Sequence, residues 1–184
     1  MNHLLDKIRR ARLRVKPPIE IDELQRFEAK AGVVIPSDYR DFLLTCCNGG
    51  IEPCRFVPLK RWDACYWTEV DPERANSPCL VTPDAEQHGD KWLDQLGVPD
   101  WESKWDSGLW DPMFGTIAVA EIGCGLFFSL IMNGDYRGRV FSWGDHALNP
   151  PLFVEHDDFT TWIESCLDAS IAGQPIHFLD GRIR

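Results

Sequence analysis

Residues Asp22 to Gly50, DELQRFEAKAGVVIPSDYRDFLLTCCNGG, read as two short helices joined by a proline-marked corner and closed by a glycine stop. Asp22 followed by Gln25 predicts an N-cap and capping box, in which the two side chains satisfy orphan amide donors of the first turn. Ile21, Leu24, Phe27 and Ala31 recur at helical spacing, so one face is apolar, and Gly32 ends the helix. Ile35-Pro36 restarts the chain, because proline fixes φ and its missing amide costs nothing in a first helical turn. In the second helix Tyr39, Phe42, Leu43 and Cys46 fall at i, i+3, i+4 and i+7. Asn48-Gly49-Gly50 then supplies residues that tolerate a left-handed terminus. All of this is scaffold, and none of it is catalytic chemistry.

Beyond the helical pair, Cys54 to Leu59 reads as a short strand near a sheet edge, since Pro58 cannot donate to a ladder. From Thr116 the pattern is strand-like: Thr116 to Ile122, Leu126 to Met132 and Gly138 to Trp143, separated by glycine-containing turns. The first two runs are almost continuously apolar, which predicts burial on both faces. In the third, Arg139, Phe141 and Trp143 alternate with Val140 and Ser142. A final helix over residues 157–172 is capped by Asp157 or Asp158 and carries Phe159, Trp162, Ile163, Cys166 and Leu167 on one stripe. The expected fold is therefore α+β: one domain spanning 1–184, with an antiparallel or mixed sheet ending in a meander and covered by N- and C-terminal helices.

This order of motifs resembles the SUKH superfamily. The acidic helix, the Ile35-Pro36 corner, Asp38-Tyr39-Arg40 leading into Phe42-Leu43-Leu44, and Asn48-Gly49-Gly50 are similar to its opening. Gly115 to Ala120, Gly123-Cys124-Gly125 and Gly138 to Trp143 are similar to its strand-turn-strand core. The resemblance implies a non-enzymatic protein. Most members are bacterial immunity proteins that bind a polymorphic toxin, often a nuclease, and relatives regulate fungal cell-wall assembly.

Composition narrows the setting. The 7 cysteines are odd in number and form no CxxC pair, which argues against a disulfide framework or zinc knuckle and for a reducing cytoplasm. No apolar run approaches the ~20 residues that span a bilayer, so no membrane partner is expected. Residues 1–16 hold six Lys or Arg against one acid, and read as a basic N-terminal surface helix rather than a targeting peptide. Because the whole chain carries −10, the remainder stands at −15. Such a field disfavours direct nucleic-acid binding by the body and attracts basic partners within a Debye length of ~8 Å. An acidic surface also serves solubility with no partner at all.

Residues 62–111 form an acidic, tryptophan-rich insertion holding Trp62, Trp67, Trp92, Trp101, Trp105 and Trp110. Twelve acidic residues there face only Arg74, Lys91 and Lys104, a local net charge of −9. Prolines break it into turns, and only Ala85 to Leu96, closed by Gly97, looks helical. Indole combines a large apolar face with one donor, so these rings either pin the insertion to the core or anchor a partner. The candidate partner-binding set is Trp62, Trp67, Glu69, Asp71, Glu73, Asp84, Glu86, Trp92, Trp101 and Trp105.

Catalytic readings are weak beside this. Gly123 to Gly125 precedes a strand, where a dinucleotide loop needs a helix N-terminus. The five histidines form no HxxxH or HExxH pair, so no metal or cofactor is expected. Asp145-His146 and His156-Asp157-Asp158 contain acid-base residue types, which leaves a small hydrolase as a remote alternative. The leading expectation is an immunity-type protein that neutralises a cognate, basic protein toxin. The competing one is an intracellular regulator or adaptor of the cell-wall assembly type.

Overall fold

In chain order the computed structural model, which describes residues 1–51, 55–59, 71–123, 125–144 and 149–174, contains α1 (Asn2–Arg10), β1 (Arg14–Val15), α2 (Ile21–Ala31), α3 (Ser37–Thr45), β2 (Gly50–Ile51), β3 (Arg55–Phe56), α4 (Pro72–Asn76), a 3-10 segment (Ala85–Leu96), α5 (Trp101–Asp106), β4 (Thr116–Gly123), β5 (Leu126–Ile131), β6 (Val140–Gly144), β7 (Leu152–Phe153) and α6 (Phe159–Ile171). The strands β3-β4-β5-β6-β7 lie in that order in one sheet, and every pairing is antiparallel. β1 and β2 form a separate two-stranded antiparallel pair. The fold is the expected single α+β domain; among the described residues the sheet is antiparallel throughout and β3 stands at its edge, as the nearby Pro58 predicts.

The sheet separates two cores. Strand residues alternate between its faces, so Leu130 and Val140 join a cluster with the helices while Ile131 and Phe141 join a second cluster on the other side. That is why β5 reads as continuously apolar. On the helix side Phe128 meets Trp162 of α6 at 5.0 Å between ring centroids, and Phe159 stacks against both Tyr39 and Phe42. Each such fully buried aromatic is worth roughly 2–3 kcal/mol of transfer free energy. α1 lies on α6, burying Leu4 and Ile8, and Lys7 Nζ reaches Asp168 at 2.6 Å and Glu164 at 2.8 Å.

The Asp22–Gly50 stretch folds as two helices, with local corrections. α2 starts at Ile21 with Glu20 as its cap residue, so Asp22 sits inside the first turn and the predicted capping box does not form. The Glu20 carbonyl accepts from the Glu23 and Leu24 amides instead. Ile21 is exposed at the helix entrance, while Leu24 and Ala31 are buried. Gly32 takes the left-handed cap at φ 67°, a conformation that glycine adopts without a Cβ penalty. Pro36 occupies the cap position of α3 rather than its first turn. At the corner Glu28 accepts from the Ile35 amide at 3.1 Å and pairs with Arg40 at 3.3 Å.

Asp38 has a long-range role that no local pattern shows. Its carboxylate accepts from the Phe159 amide at 2.9 Å and the Thr160 amide at 3.3 Å, capping α6 from across the chain. Asp158, one of the two expected caps, accepts from the Thr161 amide at 2.7 Å. Together they satisfy three of the orphan donors at that helix end. Asp157 instead pairs with Arg139 at 3.2 Å.

Candidate partner-binding face

From Asp71 the described part of the acidic insertion lies on the helix side and then crosses to the other. Asp71 accepts from the Glu73 amide at 2.9 Å, starting α4, whose Ala75 is fully buried in the helix-side core. Ser77 to Cys79 then pass close over Gly115, just before β4, and Gly134, in the turn after β5. The Gly115 amide donates to the Arg74 carbonyl at 2.8 Å, and the Cys79 amide donates to the Asn133 carbonyl at 2.8 Å. A Cβ on Gly115 would stand 2.6 Å from the Cys79 nitrogen and closer still to the Ser77 carbonyl oxygen. One on Gly134 would stand 2.6 Å from the Cys79 oxygen. Only glycine permits such an approach, and both positions have positive φ.

Past this crossing the chain becomes a layer over the second sheet face. Cys79, Val81, Ala85, Trp92 and Leu93 are buried there against Ile131 and Phe141. The expected helix over Ala85–Leu96 is a 3-10 segment, broken at Gly89 (φ 50°, ψ −134°) and closed by left-handed Gly97. Two further helices, α4 and α5, escaped the sequence reading because each is about one to two turns long, too short for periodicity to register. Trp101 and Trp105 on α5 are half-buried with ring centroids 6.1 Å apart. The Trp101 indole N–H donates to Asp94 at 2.9 Å, tying α5 to the 3-10 segment.

The outer surface of this layer is strongly anionic. Asp84, Glu86, Asp90, Asp94, Asp100, Glu102 and Asp106 are exposed, against exposed Lys91 and half-buried Lys104. The Thr82 hydroxyl donates to Asp84 at 2.5 Å, and His88 lies 3.6 Å away on the other carboxylate oxygen. The hydroxyl and then His88 hold the Asp84 carboxyl below the usual range. Asp111, at the far end of the layer, is pushed upward by burial, with the Met113 amide donating to it and Arg74 acting in the opposite sense.

The candidate residues are therefore divided. Trp62, Trp67 and Glu69 lie outside the described residues. Asp71 and Glu73 stand on α4 at the helix side, apart from the others. Trp92, 3% exposed, is a core ring of the second cluster. Asp84, Glu86, Trp101 and Trp105 share the outer layer. An exposed residue outside that candidate set is Leu109, 76% exposed, which follows left-handed Gly108 and whose amide donates a hydrogen bond to the Lys104 carbonyl at 2.9 Å. The signal was available as one aliphatic residue between Gly108 and Trp110 in an acidic run. An exposed aliphatic side chain thus follows the helix that carries two half-buried indoles, in a segment rich in exposed carboxylates, the composition of an anchor with an electrostatic rim.

Among the described residues no three His, Cys, Asp or Glu side chains are placed to hold a metal ion. His156 stands between an exposed Glu155 and the Arg139-paired Asp157, and residues 145 and 146 lie outside the described residues. The thiols of Cys47 and Cys79 are buried, and burial pushes both up to about 12, far from the thiolate state a nucleophile needs. No helix among the described residues is long and apolar enough to cross a membrane.

Comparison with known proteins agrees with the architecture. A family model described as the SMI1 / KNR4 family (SUKH-1) matches residues 18–165, which runs from the entrance of α2 into α6 and includes the insertion. No curated protein and no solved structure matches the chain.

Proposed function

This chain belongs to the SMI1/KNR4 (SUKH-1) family, and from that membership we propose that it is a non-enzymatic, immunity-type protein whose acidic face binds and neutralises a basic protein toxin. The observation that supports this most directly is an exposed Leu109 just past α5, the helix that carries half-buried Trp101 and Trp105, in a run of exposed carboxylates. A toxin that acts on nucleic acid presents cations where phosphates bind, and those cations would be drawn to carboxylates. Complementary charge of this kind raises the encounter rate, whereas an apolar anchor seated in a pocket slows release.

The geometry supports a fixed surface rather than a loop that orders on binding. Trp92 and Leu93 pin the layer to the sheet, Trp101 is hydrogen-bonded to Asp94, and the crossing at Gly115 and Gly134 admits little slack. Little ordering entropy then remains to be lost on association.

Co-expression with the open reading frame adjacent to this gene tests the proposal. The expected result is rescue of growth from that frame's product together with a stable complex whose association rate falls with salt. A complex formed with an intracellular signalling protein, without any toxin to neutralise, would place the chain with the regulators of the same family. Growth rescue that survives Leu109→Ala combined with Trp101→Ala would move the binding site off this face.

A further inference from the structure

The other pole of the molecule carries an opposite pattern that the proposed toxin-binding face leaves unused. Arg10, Arg12, Arg14 and Lys16 are exposed, and among the described residues none of them makes an ion pair. Their backbone is fixed. The Arg12 amide donates to the Arg9 carbonyl at 3.0 Å and the Leu13 amide to the Ile8 carbonyl at 3.2 Å, with Arg12 in the left-handed region at φ 53°. β1 pairs with β2, and the Lys16 amide donates to the Gly49 carbonyl at 2.8 Å. Leu13 and Val15 pack against the helix-side core. Arg12, Arg14 and Lys16 alternate with them and are exposed; Arg14 and Lys16 are set at a two-residue strand repeat of roughly 6.7 Å, and Arg12 precedes the strand at its left-handed turn.

The protein's overall negative charge does not cancel this patch. Leu13 and Val15 belong to the helix-side core, whereas the anionic layer covers the other sheet face. Packed layers are roughly 10 Å apart, beyond the ~8 Å over which exposed charges are felt in physiological salt. Carboxylates close by in the chain limit what fits. Asp6 precedes the comb, and exposed Glu20, Asp22 and Glu23 follow it. A long phosphate backbone would run onto those acids, and no exposed Phe, Tyr or Trp stands in the segment for a base to stack on. A bilayer finds no exposed large apolar side chain on α1 or β1, since Leu4 and Ile8 are buried and Leu5 is packed on the core, and the exposed Ile21 beyond them stands among Glu20, Asp22 and Glu23. What remains complementary is a short run of carboxylates at strand spacing. Among the described residues β1 has a strand on one side only, β2, and a second extended segment can add along the other.

We propose that the α1–β1 segment is a second docking surface, taking an extended acidic segment of a partner protein while the anionic face binds elsewhere. Its test is fluorescence anisotropy with a labelled peptide of alternating glutamate and valine, alongside an RNA oligonucleotide of matched charge and phosphatidylserine vesicles. The peptide should bind saturably at low ionic strength and progressively less as salt rises. Arg12→Glu, Arg14→Glu and Lys16→Glu combined should weaken it roughly tenfold or more, since three exposed ion pairs are lost. The same three positions changed to Gln should weaken it less, and are read instead if thermal unfolding shows that the reversal destabilises the fold. Peptide binding that is absent, unchanged in both triple variants, or weaker than binding to the RNA or the vesicles would overturn the assignment.

Discussion

Replacing Gly115 by Ala should detach the anionic layer from the sheet, and the structure gives a size for the effect. The residue sits at φ +74°, where a Cβ costs about 1 kcal/mol in itself. The new Cβ would also collide with the Ser77 carbonyl oxygen and stand 2.6 Å from the Cys79 nitrogen, both of them backbone atoms that cannot rotate away. Relief requires the Ser77–Cys79 crossing to lift, which strains the Gly115-to-Arg74, Cys79-to-Asn133 and Asn133-to-Asn76 hydrogen bonds. At about 1 kcal/mol net for each, the total approaches ~4 kcal/mol, a large share of the 5–15 kcal/mol of a typical domain. Gly97→Ala is the control, because its φ is +68° but nothing lies within 4 Å of its Cβ position; it should cost only about 1 kcal/mol. Urea unfolding followed by tryptophan fluorescence reads both, since Trp92, Trp101, Trp105 and Trp110 all pack in the second core. Equal losses for the two variants, within ~0.5 kcal/mol, would refute the claim that close backbone approach holds the layer down.

Three further outcomes are expected. Asp38→Ala leaves two α6 amides without their acceptor and should cost about 2 kcal/mol in chemical denaturation, whereas Asp38→Asn, which keeps an acceptor, should cost about half as much; equal losses would mean that the cap is not what Asp38 provides. Cys47 and Cys79 are acids whose folded pKa of about 12 lies above the ordinary 9.0. The unfolded chain therefore loses those protons first, and stability should fall as pH rises from about 9 towards 12, by about 1 kcal/mol per thiol for each pH unit. Replacing both with Ser or Ala should flatten that slope in pH-dependent denaturation. At the proposed face, Trp101→Ala or Leu109→Ala should each cost about 2 kcal/mol of toxin binding, mostly through faster dissociation, while neutralising Asp94, Glu102 and Asp106 should chiefly slow association. Surface plasmon resonance at two salt concentrations separates these effects.

What could be read before any coordinates follows from how local the governing physics is. The α3 stripe of Tyr39, Phe42, Leu43 and Cys46, the α6 stripe from Phe159 to Leu167, and the left-handed stops at Gly32 and Gly97 are all where periodicity and glycine chemistry put them. Errors cluster at boundaries. The Asp22 capping box is locally reasonable, but Glu20 starts the helix two residues earlier, where the Ile19 amide is already tied to the Leu43 carbonyl. Short elements such as α4, α5 and β7 carry too few residues for a period to emerge from their sequence.

The candidate face was legible in kind, as acid and indole, but not in arrangement. Charge and residue type are properties of each side chain alone, so the sequence determined by itself that residues 62–111 would be anionic and aromatic, and that the two strands starting at Thr116 and Leu126 would be buried on both sides. Which indole becomes core, as Trp92 does, and which apolar group is left outside, as Leu109 is, was decided only by the tertiary structure. The reason is geometric. One layer can place only so many side chains against Ile131 and Phe141, and that choice is fixed where the chain crosses Gly115 and Gly134, by contacts between residues far apart in sequence.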